Sequence, residues 1–144
     1  ENIMSSVKGV NITNLDAVPA VMAESAQVHG RMRVWFDTYE ASSLAAGSDI
    51  TIARLPAGAT VYDVTIVHDA LGASSTLQVG DSSDDDRYIT ATASTAANGK
   101  IIMSEDGVIG GFGYENSSAT DVLITTAGAT ITGTIKSAVY YTVD

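Results

Sequence analysis

The chain contains no cysteine, which excludes disulfide frameworks, thiolate zinc sites and cysteine nucleophiles. Cations are scarce too: seven Lys and Arg stand against seventeen Asp and Glu, for a formal net charge of −10 over 144 residues. Binding a phosphate backbone takes clustered Lys and Arg, and here they are scattered, so nucleic acid is not an expected partner. Aromatic residues make up only 6%, which counts against a carbohydrate-binding module with several sugar-stacking rings. The first residues, ENIMSSVKGVNITNLDAVPAVMAE, have no basic stretch leading into an apolar one, and no run of eighteen apolar residues follows. Neither a signal peptide nor a membrane partner is expected.

What is present has the period of strands. A chain of 144 residues suits one domain able to bury a core without staples. Arg31 to Tyr39 is rich in β-formers, and Asp49 to Leu55 places Ile50 and Ile52 on one face. Leu55-Pro56-Ala57-Gly58-Ala59 has the make-up of a tight turn. Thr60 to Ala70 is β-branched on both faces, as a central strand should be. Thr76 to Val79, Arg87 to Ala93, Lys100 to Ser104, Val108 to Phe112 and Asp121 to Thr126 continue the series, with Asn98-Gly99 as the clearest hairpin signal. Ala129 to Val143 alternates throughout, with Ile131, Ile135, Val139, Tyr141 and Val143 on one face and a bend expected at Gly133. About nine short strands at this spacing predict an all-β fold: an antiparallel β-sandwich, jelly-roll or Greek-key like, over residues 31–144.

Residues 1–30 differ. Ala20 to Val28 is the one helical candidate, Pro19 interrupts the segment, and Ile3, Val7, Val10, Ile12, Leu15 and Val21 are spread too thinly for a core strand. They predict an extended N-terminal arm whose apolar residues bind a partner, either the chain's own sandwich or a neighbouring subunit, with a flexible terminus as the alternative.

Candidate chemistry is thin. VGDSSDDDRY (79–88) puts Asp81, Asp84, Asp85 and Asp86 in one short stretch. An EF-hand needs D-x-[DN]-x-[DN]-G and a Glu at position twelve between helices; the spacing here differs and strands flank it. An acidic turn, with Arg87 offsetting its charge, is the expected reading; an irregular calcium site and an acid/base pair are the alternatives, and adjacent carboxylates on one loop suit the last poorly. His29 and His68 lie far apart and lack cysteine partners. No G-x-S-x-G elbow occurs, and Gly99-Lys100 is followed by Ile101, not by Ser or Thr. The glycines of GVIGGFG (107–113) suit bulges or turns, and Trp35 is expected as a core anchor. The sequons at Asn11 and Asn116 suit chance occurrence in a Ser- and Thr-rich chain. No catalytic, metal or cofactor-binding residue is assigned, no cofactor is expected, and the chain is expected not to be an enzyme.

RMRVWFDTYEASSLAAGSDI, ARLPAGATVYDVTIVHDALGASSTLQVGDSSDDDRYITAT and GTIKSAVYYTVD resemble, in this order, structural proteins of tailed-bacteriophage virions. Size, sandwich and loose arm look most like a capsid decoration, or cement, protein. The resemblance implies a homotrimer that clamps capsomers from the outside of the head, with the major capsid protein as partner, made in the host cytoplasm and located in the virion. An acidic surface, which repels DNA, suits that position. Length and the lack of helical patterns disfavour the major capsid protein itself. A tail or fibre component, a surface-filament subunit and a carbohydrate-binding sandwich are the alternatives.

Overall fold

The computed structural model describes residues 7–8, 10–22 and 31–143. A short helix, α1 (Val10–Leu15), precedes the strands β1 (Arg33–Leu44), β2 (Asp49–Leu55), β3 (Ala59–His68), β4 (Thr76–Gly80), β5 (Ile89–Ala93), β6 (Gly99–Ile102), β7 (Tyr114–Glu115), β8 (Thr120–Ala127) and β9 (Ile131–Val143). A single-turn helix, α2 (Met103–Asp106), and a 3-10 turn at Ile109–Gly111 lie between β6 and β7. Among the described residues no helix is long and apolar enough to cross a membrane.

The strands form two antiparallel sheets. The first has the order β1-β9-β3-β6, with β7 pairing the other half of the β3 edge; the second has the order β2-β8-β4-β5. With the two-residue β7 set aside, this is the eight-stranded jelly roll. Almost every connection changes sheet, and β4–β5 is the one consecutive pair that is hydrogen-bonded together.

Alternation explains the layering. In β9, Ile131, Ile135, Ser137, Val139 and Tyr141 are buried while Thr132, Lys136 and Tyr140 are exposed, since successive side chains leave opposite faces of a strand. Ile50, Ile52 and Leu55 of β2, Leu77 and Val79 of β4 and Val122 and Ile124 of β8 meet them from the second sheet. β3 is central, as its two-sided apolar pattern predicts. Gly133 bends β9: its φ of +140° belongs to a region open essentially to glycine, and a Cβ there would lie 3.0 Å from Leu71 Cδ2. Pro56 to Ala59 form the expected turn, with Ala59 N–H donating to Pro56 O at 3.2 Å and Gly58 at φ +85°.

Several expectations need correction. Asn98-Gly99 turns the chain, with Asn98 at φ +53°, but the strands it joins belong to different sheets, so it is a corner and not a hairpin. Gly99 is required by packing as well: a Cβ on it would sit 2.2 Å from the His68 ring. Val108 to Phe112 is not a strand, because the 3-10 turn occupies it. Lys100 to Ser104 leaves the sheet after Ile102 and enters α2. Ala20 to Met22 is not helical; the rest of that candidate lies outside the described residues, and the arm's helix is α1 instead. Trp35 is no core anchor: it is 37% exposed, because β1 is the edge of its sheet.

Ile124 is fully buried between the sheets. Ile124→Ala should cost about 3 kcal/mol through lost transfer energy and a residual cavity, read as a lower urea midpoint with an unchanged m-value.

Candidate functional site

The acidic stretch is the wide hairpin turn between β4 and β5, and its four carboxylates divide into two kinds. Asp81 is buried, at 4% exposure. Its Oδ1 accepts the N–H groups of Ser83 and Asp84, each at 2.9 Å, and its Oδ2 accepts Arg87 Nε at 2.6 Å. Burial alone would raise its pKa, but the Arg87 hydrogen bond, the two backbone N–H groups and the Arg87 charge outweigh that and hold it below the usual 3.8. The Arg87 guanidinium lies 4.1 Å over the Tyr114 ring, an attraction to the π face. Tyr114 meets Tyr88 edge-on at 6.4 Å, and Asn116 Nδ2 donates to the buried Tyr88 hydroxyl at 3.2 Å. Burial pushes the Tyr88 pKa up. Gly80 admits the fold-back, since a Cβ on it would collide with Asp84 O at 2.2 Å.

Asp84, Asp85 and Asp86 instead converge on the solvent side within 4.8 Å of one another. A hydrogen bond shared with Asp84 comes first among the causes that raise the Asp86 pKa, followed by desolvation and the neighbouring negative charges. A polar groove of about 460 Å³, lined in part by Ser82, Ser83, Tyr114, Ser117 and Ser118, borders the turn. The cluster is a ridge of repelling charge on a turn that Asp81 and Arg87 hold from beneath, and Asp121 also lines the bordering groove.

The remaining candidates are not drawn into a common site. His68 is buried, with Nδ1 2.7 Å from Asp69 O; His29 lies outside the described residues. Asn116 of the second sequon is buried, and Gly111 packs where a Cβ would meet Arg87 O at 2.4 Å. Of the arm residues, Ile3 lies outside the described residues, while Val7, Val10, Ile12, Leu15 and Val21 are each at least 50% exposed. Three hydrogen bonds in this stretch close locally: Asp16 N–H to Ile12 O at 2.9 Å, Val21 N–H to Asn14 O at 2.8 Å, and Lys8 Nζ to Asp16 at 2.6 Å.

One surface was not singled out from the sequence. The outer face of the second sheet is dressed for water: Asp49 accepts from Thr125 Oγ1 at 3.0 Å, Arg54 lies 3.6 Å from Asp121, and Thr51 and Gln78 fill the rows between. The outer face of the first sheet carries Val34, Phe36, Val67 and Tyr140 in the open. Its register rows read Val34–Tyr140–Asp63 and Phe36–Ala138–Thr65–Ile102 across the strands. The available signal was the RVWF run, apolar at both parities in a strand that lies at an edge.

No protein-family model and no curated protein sequence matches the chain. Its fold does recur in solved structures. It resembles a chain of the cyanophage Pam1 capsid asymmetric unit with a TM-score of 0.66 and 23% identity, covering 90% of this chain and 97% of that one. A chain in the capsid of Ralstonia phage GP4 gives 0.58 and 19% over 80% and 84% of the two chains. One in the acid-stable capsid of Helicobacter pylori bacteriophage KHP30 gives 0.58 and 16% over 78% and 87%.

The two kinds of carboxylate separate by mutation. Asp81→Asn should destabilise by about 2–4 kcal/mol, because it strips Arg87 of its buried partner. Asp84, Asp85 and Asp86 changed together to Asn should move the melting temperature by no more than about 2 °C. Since folding depresses the Asp81 pKa, its contribution is fully present above the usual 3.8 and is lost as pH falls through the folded value. The parent and Asp81→Asn stability curves should therefore converge in acid, as followed by denaturant titration from pH 6 to about pH 2.

Proposed function

We propose that this chain is a non-enzymatic structural protein of a bacteriophage virion: a decoration protein that binds the outside of the assembled head as a homotrimer and stabilises it by bridging capsomers. The observation that carries the reading is the likeness to a chain of the Pam1 capsid asymmetric unit, which covers 90% of this chain and 97% of that one. The likeness of the fold is not enough alone, because jelly rolls host many functions. The candidate chemistry adds weight, since the most reactive-looking stretch of the chain is spent on holding a turn.

The mechanism on this reading is mass action. A ligand that binds the assembled shell and not its dissociated parts stabilises assembly by linkage, and touching several subunits at once multiplies weak contacts into firm attachment. A rigid sandwich supplies the body. The arm supplies reach, with Val7, Val10, Ile12, Leu15 and Val21 exposed and available to a neighbouring subunit. The partner is the major capsid protein, and neither nucleic acid nor membrane takes part.

Purified protein added to undecorated, expanded heads should appear as extra outer density and raise the temperature at which heads release their contents. A chain reduced to residues 31–144 should still unfold in one cooperative transition, since β1 begins at Arg33. Its occupancy on heads should fall at least roughly tenfold, as the arm's apolar contacts are worth several kcal/mol once ordering costs are subtracted. Loss of cooperative folding would assign the arm to its own core, and undiminished occupancy would make it a passive tail.

A further inference from the structure

We infer that the polar groove between the Asp81 turn and the start of β8 is a binding site for an uncharged sugar, held by hydrogen bonds and not by ring stacking. The inference concerns the chain itself and goes beyond the virion reading, on which it does not depend.

Register creates the groove. β4 leaves its sheet at Gly80, opposite Leu123 of β8, so the Asp81 turn runs on beside Asp121, Thr120 and the loop 116–119 that enters β8. The space between them is about 460 Å³, within the roughly 300–1,000 Å³ of small-molecule sites. Both walls are fastened. On one side Arg87 and the N–H groups of Ser83 and Asp84 close on Asp81. On the other, Asn116 accepts the Gly58 N–H at 2.7 Å, donates its own to Ala59 O at 2.8 Å, and ties down the Tyr88 hydroxyl through its side chain. Walls fixed in this way need little ordering when a ligand arrives.

The free groups are those that a vicinal diol pairs with. Arg87 directs Nε to Asp81 Oδ2 at 2.6 Å and Nη2 to Oδ1 at 3.5 Å, so Nη1 keeps both its N–H donors, in a plane set by Asp81 and by the Tyr114 ring beneath it. Asp121 supplies a half-exposed carboxylate as acceptor, with Arg54 no nearer than 3.6 Å. Among the described residues the hydroxyls of Ser82, Ser83, Ser117 and Ser118 have no partner in the chain, and each both donates and accepts.

Other ligand classes fit less well. An anion meets Asp121 in the groove and the Asp84–Asp86 ridge at its rim, while the charge of Arg87 is already neutralised by Asp81. An apolar ligand finds little beyond Ala119 and Leu123. An added peptide strand needs unpaired backbone, yet the N–H groups of Ser83, Asp84 and Asn116 are all engaged. Because Arg87 covers a face of Tyr114, the ring is no stacking platform, and single-site affinity is weak. Many copies side by side would turn such weak sites into firm attachment to a glycan.

Two-dimensional amide NMR spectra of the purified full chain test this, with the methyl glycosides of glucose, galactose and mannose, N-acetylglucosamine, and glucuronic acid as the charged counterpart. At least one neutral sugar should shift the amides of residues 82–83 and 117–121 with a Kd of about 1 mM, and glucuronic acid should not. Asp121→Ala should weaken that binding at least about tenfold, as loss of a hydrogen bond to a charged group does, with the urea midpoint kept, since the pair with Arg54 is exposed. Asp85→Ala, on the ridge outside the groove, should leave binding unchanged. The inference is overturned if none of the four neutral sugars shifts these amides, if binding survives Asp121→Ala, or if glucuronic acid binds as well. A tetraserine peptide that shifts the same amides as strongly overturns it in favour of a peptide site. Sugar binding by a chain that leaves heads bare refutes the virion reading alone.

Discussion

The first sheet is held together by β9, a thirteen-residue strand that pairs with β1 along one side and β3 along the other. Without it, β1 has no hydrogen-bonded strand neighbour among the described residues, and the inner face of the sheet loses Ile131, Ile135, Val139 and Tyr141 from the core. β9 is also the latest strand in chain order. The sandwich is therefore completed by a pairing of very large sequence separation, the kind of contact whose loop-closure entropy is spent before any burial offsets it. Slow, highly cooperative folding is the expected behaviour of such a chain.

That arrangement sets what is left exposed. A sheet whose centre is occupied by β9 and β3 must place β1 at its rim, and the rim strand is the one carrying Val34, Trp35, Phe36 and Tyr39. The opposite layer has no comparable feature, because Thr51, Thr125, Gln78 and the Arg54–Asp121 pair give it a hydrated exterior. The molecule is thus two-sided, with a hydrated exterior on the second sheet and exposed apolar side chains on the first.

Strand positions were legible in the sequence wherever alternation was regular: β2 has the predicted boundaries, and β3, β4, β8 and β9 lie within about two residues of them, as boundary placement allows. What was not legible depends on partners far along the chain. Asn98-Gly99 carries correct turn chemistry, but which sheet the next strand joins is decided by the pairing of β6 with β3. Trp35 and Val139 look alike as apolar strand residues, and only the sheet order makes one an edge and the other a centre. Asp81 and Asp84 are the same residue type three positions apart. What distinguishes them is that Arg87 folds back on Asp81 beneath the turn, a closure that Gly80 permits and the sequence pattern does not announce. The exposed apolar face was missed for the same reason: an apolar residue at either parity reads as core until the edges of the sheet are known.

The register also separates the two ends of the sandwich by use. Arg33 pairs with Tyr141 and Ala59 with Val143, so the start of β1, the outward end of β9 and the Pro56 turn sit together, with the Asp81 turn on the same side. The other end holds the Ala45–Gly47 and Ala96–Asn98 corners, which are exposed and distant in the register from the start of β1 and the buried carboxylate. A foreign peptide grafted at Ala46 or Ala97 would be carried on a rigid stalk away from the apolar rim, which gives this fold a natural handle as a display scaffold.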